Sequence, residues 1–204
     1  MSDKKYTVDA IGPRLERFLR PVLKQAGFDL DFVIAEGDSS NPEIENPEVV
    51  VRFTGPDVDI ILSNKAQLLL ALEHVTMEAL RLPSEDHSRL SFDASDYRML
   101  RIEELRLSAT AAAEKVKSTG VPFRFNPMNS RERRVIHIAL RNENALRSES
   151  AGFGGYRQVV IYPAGMASLP ELPPPPRPAG PRPDSHRGGP PRHDRPRSER
   201  PGRR

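Results

Sequence analysis

The chain predicts an α+β fold in two parts, followed by a tail that stays disordered. Three observations carry that expectation. Stretches with apolar residues every three or four positions alternate with short runs of period two, one strongly basic amphipathic helix stands between such runs, and hydrophobic patterning stops at Pro163. The boundaries read this way are residues 1–87, 88–163 and 164–204.

Taken in order, Ile11, Leu15, Phe18, Leu19, Val22 and Leu23 recur at helical spacing across residues 8–25, with Pro13 tolerable only near the start and Gly27 as the stop. Residues 28–35 alternate Phe28, Leu30, Phe32 and Ile34 with polar neighbours and read as a strand, and residues 48–53 read as a valine-rich second strand. Between them, residues 36–47 are a polar loop. Gly55-Pro56-Asp57 is a turn, after which residues 58–62 bridge into a helix over about residues 66–82 that Pro83 ends. Residues 88–93 form a third strand with Leu90 and Phe92 inward. The longest helix covers about residues 95–119 through Leu100, Leu105, Ala109, Ala112, Ala113 and Val116, and Gly120 caps it. Asn129 or Ser130 caps the basic helix, and residues 148–150 and 156–161 make two short strands joined by a glycine-rich turn.

Beyond Pro163, 12 of the 21 prolines stand beside nine arginines and no aromatic residue, so this segment has too little to bury to offset its ordering entropy. Charge is divided unevenly. Residues 1–47 and 48–123 each carry a net −3, residues 124–163 carry +4 and the tail +5, so the overall +3 arises in the C-terminal part. A polyanion is drawn there, because clustered cations release counterions from phosphates. The absence of cysteine excludes disulfides and thiolate metal sites. Neither the N-terminus nor the longest apolar run, residues 68–72, suits a signal peptide or a membrane span, so a soluble cytoplasmic protein is the default expectation.

Within the basic helix, residues 131–141, a rotation of about 100° per residue puts Val135, Ile136, Ala139 and Leu140 on one arc and Arg133, Arg134, His137 and Arg141 on the other. Arg133 and His137 thereby place a cation and an imidazole on one exposed face, and the strand pair brings Arg157 beside them. Guanidinium supplies planar donors for phosphate. His137, with a reference pKa of about 6.5, can donate a hydrogen bond or stack on a base while uncharged. Arg134 and Arg141 are auxiliaries, and Phe153 and Tyr156 are the nearest aromatics able to stack, although Tyr156 is also placed to pack beneath the turn. A solvated helix face is the plain alternative for such a stripe. The coincidence in order of the spacing, the strand pair and Arg157 favours nucleic acid.

The run Asn126-Pro127-Met128-Asn129-Ser130-Arg131-Glu132-Arg133-Arg134, the Arg-xxx-His spacing, and the pairing of Ser148-Glu149-Ser150 with Arg157-Gln158-Val159-Val160-Ile161 together resemble the bacterial Jag (KhpB-type) RNA-binding proteins. In that family a KH-like domain precedes an Arg-xxx-His domain. The resemblance extends through Phe92-Asp93 to Tyr97-Arg98 and, more weakly, through residues 59–72. It implies a KH-like region of strands covered by helices in residues 1–87. A long connecting helix and an Arg-xxx-His domain would follow in residues 88–163, binding single-stranded nucleic acid through Arg133, His137 and Arg157. One departure concerns the family's Gly-x-x-Gly loop, which here reads Ser63-Asn64-Lys65-Ala66. Such a loop works because residues without side chains let backbone amides approach phosphates. Lys65 is its only cation, and the KH-like region is expected to act more as a structural or protein-contact unit than as an RNA grip.

The expected function is therefore non-catalytic binding of single-stranded RNA, or DNA, and the resemblance implies a post-transcriptional role. The competing expectation is an interaction protein whose proline-rich tail recruits protein partners and whose KH-like region has lost RNA binding. Glu103-Glu104 and Ser148-Glu149-Ser150 sit in no nucleophile, oxyanion or phosphate-loop arrangement, and Glu149 is expected to orient an arginine or cap an amide. His74 reads as a packing or surface residue, and His87, His186 and His193 show no metal-ligand spacing, so no enzyme, cofactor or metal is expected. The residues leave the oligomeric state and the RNA sequence open.

Overall fold

A computed structural model describes residues 4–38 and 41–170. Helix α1, Val8–Ala26, presents Ile11, Leu15, Leu19 and Leu23 one turn apart, all buried. The Thr7 hydroxyl accepts from Ala10 N at 3.3 Å to start it, and Gly27 ends it at φ 75°, a left-handed value that a residue without Cβ adopts at least cost. Pro13 and Pro21 both lie inside this helix, deeper than spacing alone allows. Each stands on the exposed side, where the carbonyl that loses its amide partner can turn to water.

Strand β1, Asp31–Glu36, pairs antiparallel with β2, Val49–Thr54, which pairs in parallel with β3, Leu90–Ala94. Because a parallel pair cannot be joined by a hairpin, the crossover is long: α2, Val58–Ala79, then a 3-10 turn, Ser84–Arg89. Both helices bury their apolar residues in one core with this sheet, where the Phe53 ring lies 5.9 Å from Phe32 and 5.3 Å from Phe92.

The bridge and helix expected over residues 58–82 are one interrupted element. Ser63 is extended, and Asn64, Lys65 and Ala66 follow at φ 51°, 60° and 55°. Left-handed backbone costs roughly 1–2 kcal/mol per L-residue, and here three occur in succession without a glycine. Ala66 is buried in the core and the Ser63 hydroxyl donates to Ile60 O at 2.7 Å, so packing and a local hydrogen bond hold the bend.

The second core forms around α3, Tyr97–Thr119, whose Ile102, Leu105, Ala109, Ala112, Ala113 and Val116 are buried. Against it lie α4, Ser130–Ala139, and a sheet of order β4–β6–β5, made of Phe123–Arg124, Gln158–Pro163 and Leu146–Ala151 with both pairs antiparallel. The small alanines of α3 leave room for Val135, Ile136 and Leu140 from α4 and Val159 and Ile161 from β6. β3, grouped by the sequence with the second part, lies instead in the first core through Leu90, Phe92 and Ala94, because its parallel pairing with β2 completes the first sheet.

Tyr97 packs into the first core while the rest of α3 builds the second. At this seam Arg98 donates to Phe92 O at 2.6 Å, to Glu45 at 2.9 Å and to Glu73, and Arg131 of α4 reaches Glu73 at 3.0 Å and His87 O at 3.1 Å. Residues 164–170, counted with the tail on composition, instead follow β5 and β6. Arg147 donates to Met166 O at 2.8 Å, Leu169 N to the Tyr162 hydroxyl at 3.2 Å, and Arg124 to Pro170 O at 3.4 Å. The disorder expected of residues 171–204 lies outside the described residues. No described helix is long and apolar enough to cross a membrane.

Candidate nucleic-acid interface

The start of α4 is fixed by a reciprocal cap. Asn129 accepts from Glu132 N at 2.9 Å while Glu132 accepts from Asn129 N at 3.1 Å, so two amides that a helix start leaves unpaired are satisfied at once. Of the two capping candidates in the sequence, Asn129 is the one the fold uses. Glu132 also takes a 2.7 Å bond from Arg101 of α3, which holds the first turn against the long helix. Arg133 leaves the helix immediately after this turn.

Arg133, His137 and Arg157 come together. The half-buried Arg133 is held below the ordinary arginine range, first by burial and then by repulsion from the Arg157 cation. Its Nε is buried and has no hydrogen-bond partner. His137 is likewise held below its usual value by burial and by Arg133, which keeps the imidazole neutral near pH 7. Among the described residues neither Arg133 nor Arg157 has a carboxylate partner. Arg157 is exposed, and its backbone carbonyl accepts from Met128 N at 3.0 Å, which ties the end of the β5–β6 connection to the approach to α4.

That connection depends on Gly152, at φ 94°, where a Cβ would stand 2.7 Å from Tyr156 O. The tight turn leaves Phe153 and Tyr156, 58% and 55% exposed, on the loop that leads into Arg157. Tyr156 does not pack beneath it. Two exposed aromatic rings on the loop that leads into Arg157 can offer a base a stacking surface while the guanidinium groups offer its phosphate a set of donors.

His137 is less open than the wheel suggests. Its Nδ1 lies 2.8 Å from the Ser148 hydroxyl and its Nε2 3.0 Å from that of Ser150, both from β5. A neutral imidazole has one donor and one acceptor nitrogen, so one serine accepts and the other donates. With both nitrogens engaged by β5, the half-buried ring is held in one orientation. The two serines are the site residues whose role sequence reasoning missed. Their signal is the period of two, which turns Ser148 and Ser150 toward α4 and Arg147 and Glu149 away from it. Glu149 indeed pairs with an arginine, Arg147, whose guanidinium lies 4.6 Å from the centre of the Tyr162 ring.

The other basic candidates stand elsewhere. Arg134 donates to Glu43 O at 2.9 Å and Arg141 lies 3.4 Å from the Glu43 carboxylate. About 80–100° of helical rotation separates them from Arg133, which turns both toward the loop before β2. Lys65 is exposed at the left-handed bend of α2, on the other core, and has no ion pair among the described residues.

Residues 103–163 match the R-three-H (Arg-xxx-His) domain family. The chain is similar to the RNA-binding protein KhpB of Clostridium symbiosum, 34% identical over 56% of this chain and 51% of that protein. It is similar to the KhpB of Bacillus subtilis at 30% identity, over 60% of this chain and 61% of that protein. For the KhpB of Lactiplantibacillus plantarum the identity is 25%, over 71% and 42%. The Jag (KhpB-type) resemblance read from the sequence therefore holds. The matches span about half the length of these curated relatives, and the domain-family match begins inside α3, so that helix is part of the domain that carries the arginine pair.

Proposed function

We propose that this chain is a non-catalytic, single-stranded RNA-binding protein whose anchor is Arg133, His137 and Arg157, with Phe153 and Tyr156 as a stacking surface. The observation that carries the reading is that two guanidinium groups bear on each other with no carboxylate partner among the described residues. Burial and like charge both oppose this arrangement, and a bound phosphate relieves both. The Arg-xxx-His domain match and the three RNA-binding relatives support RNA as the anion. Arg134 and Arg141, on the neighbouring flank, add attraction at longer range, and the basic residues 171–204 extend it along the strand. Through such binding the chain acts on transcripts after their synthesis, in the cytoplasm.

Fluorescence anisotropy with a labelled unstructured RNA, challenged with duplex RNA, tests the reading. Single strands are expected to win, because an exposed aromatic pair needs unstacked bases. Equal competition by duplex would reject the stacking part. Removing residues 171–204 is expected to lower the salt slope of binding while leaving residual affinity at low salt. Complete loss on that truncation would transfer the binding site to the tail and reject the anchor.

A further inference from the structure

One cluster outside the interface remains without a role. His74 and Glu78 stand one turn apart on α2, and the chain reverses at Pro83 to bring His87, in the 3-10 turn, up to them. One ligand atom from each of the three lies within 4.8 Å of the others. We infer that His74, Glu78 and His87 form a binding site for a borderline divalent transition metal of the zinc type, with solvent completing the coordination.

The donor set decides the class. Two imidazoles and a carboxylate suit zinc and its neighbours, whereas magnesium and calcium take oxygen donors. Metal–ligand distances of about 2.0–2.2 Å put tetrahedral ligands about 3.3–3.5 Å apart, which small side-chain rotations within the observed spread can reach. The His74 and His87 rings already meet edge to face with centres 6.1 Å apart. His87 is also prepared in the manner of a ligand. Its Nε2 lies 3.1 Å from Leu82 O, so that nitrogen carries the proton and Nδ1 keeps its lone pair for a metal, the tautomer fixed by a backbone carbonyl. No ion pair engages Glu78 among the described residues.

Position suggests the consequence. The carbonyl of His87 accepts from Arg131, and Glu73, adjacent to His74, takes the same arginine. A metal joining α2 to the 3-10 turn would fasten the segment through which the two cores meet, so its binding would raise the stability of the fold.

Full-length protein stripped with chelator and titrated with Zn2+ by calorimetry is expected to bind one equivalent. Co2+ is expected to give the intense visible bands of a low-coordinate site. His74→Ala and Glu78→Gln, both at exposed positions, are each expected to weaken binding by about tenfold or more and to remove the metal-induced rise in melting temperature. Replacing His186 and His193 together is expected to change neither. Unaltered binding in His74→Ala, a weak six-coordinate Co2+ spectrum, or loss of binding only in the His186/His193 variant would each overturn the site.

Discussion

Arg131 and Arg133 stand two residues apart on α4 and meet opposite surroundings. Arg131 turns into the seam, where Glu73, 6% exposed, takes it together with Arg98 and the Phe92 amide. Burial opposes the charge of Arg98, but Glu73, Glu45 and Asp93 overcome it and hold that guanidinium above its ordinary range. Across the helix Arg133 is also partly desolvated, yet its principal electrostatic neighbour is another arginine, and its pKa moves down. Fully compensated arginines hold parts together. An uncompensated pair is an unfilled half of an interaction, so function is read from which charges the fold leaves unpaired more than from where charge is dense.

The sharpest way to break this comparison is to remove the unpaired set. Arg133→Ala with Arg157→Ala is expected to weaken binding to single-stranded RNA by about two to four orders of magnitude, since each charge-assisted hydrogen bond contributes roughly 1.5–3 kcal/mol. The same variant is expected to be no less stable than the parent, because it relieves repulsion. Anisotropy and urea unfolding read the two quantities. Unchanged affinity rejects the anchor, and a large loss of stability would show that the pair is structural after all.

The seam should respond the other way. Glu73→Ala strands Arg98, Arg131 and the Phe92 amide, and removing one partner of a buried ion pair typically costs about 3–5 kcal/mol. Unfolding is expected to occur at clearly lower denaturant, while protein that remains folded binds RNA as before. If affinity falls in proportion to stability, the seam and the interface are not separable.

Much of this was legible in the residues. Helical and two-residue periods report burial, which is why α1, α3, α4 and the strands other than β4 fall within a few residues of expectation, and why the α+β class holds. β4 is only two residues long and too short to show a period. Leu100, in the apolar series read for α3, stands 60% exposed while Ile102 takes the buried place. The Arg-xxx-His spacing likewise carries its own geometry, four residues being one turn. What the sequence hides depends on long-range pairing. Nothing in the run Arg131-Glu132-Arg133-Arg134 says which arginine faces Glu73, 58 residues away, and which faces Glu43, 91 residues away. The serines beneath His137 act only once β5 is registered against α4. His87 meets His74 only after Pro83 turns the chain. The left-handed bend at residues 64–66 has no glycine to announce it.

A smaller effect tests the neutral imidazole. The His137 pKa lies below its unfolded value of about 6.5, so in the interval between them the unfolded chain holds a proton that the fold does not. Stability is therefore expected to decline as pH falls through about 6.5 and to level off below the folded value. A phosphate beside Arg133 favours the imidazolium, so RNA affinity is expected to move oppositely, rising over the same interval by at most about tenfold per unit by which binding lifts the pKa. His137→Gln should flatten both profiles. Parallel slopes in stability and affinity would place the titrating group elsewhere.

The smallest expected change comes from the first core. Lys65 sits where the chain makes a sharp left-handed bend before the longer stretch of α2, and its charge is free of ion pairs among the described residues. It is nevertheless a single cation in a region of net −3, on a bend whose residues carry Cβ atoms that keep a phosphate from the backbone amides. One solvated lysine at such a place contributes at most about one counterion to the salt slope. Lys65→Ala is expected to lower affinity about threefold or less, uniformly across RNA sequences. Should it match the loss from Arg133→Ala with Arg157→Ala, the bend would be a second grip on the strand, and the three left-handed residues would be the conformation that RNA requires rather than one the core tolerates.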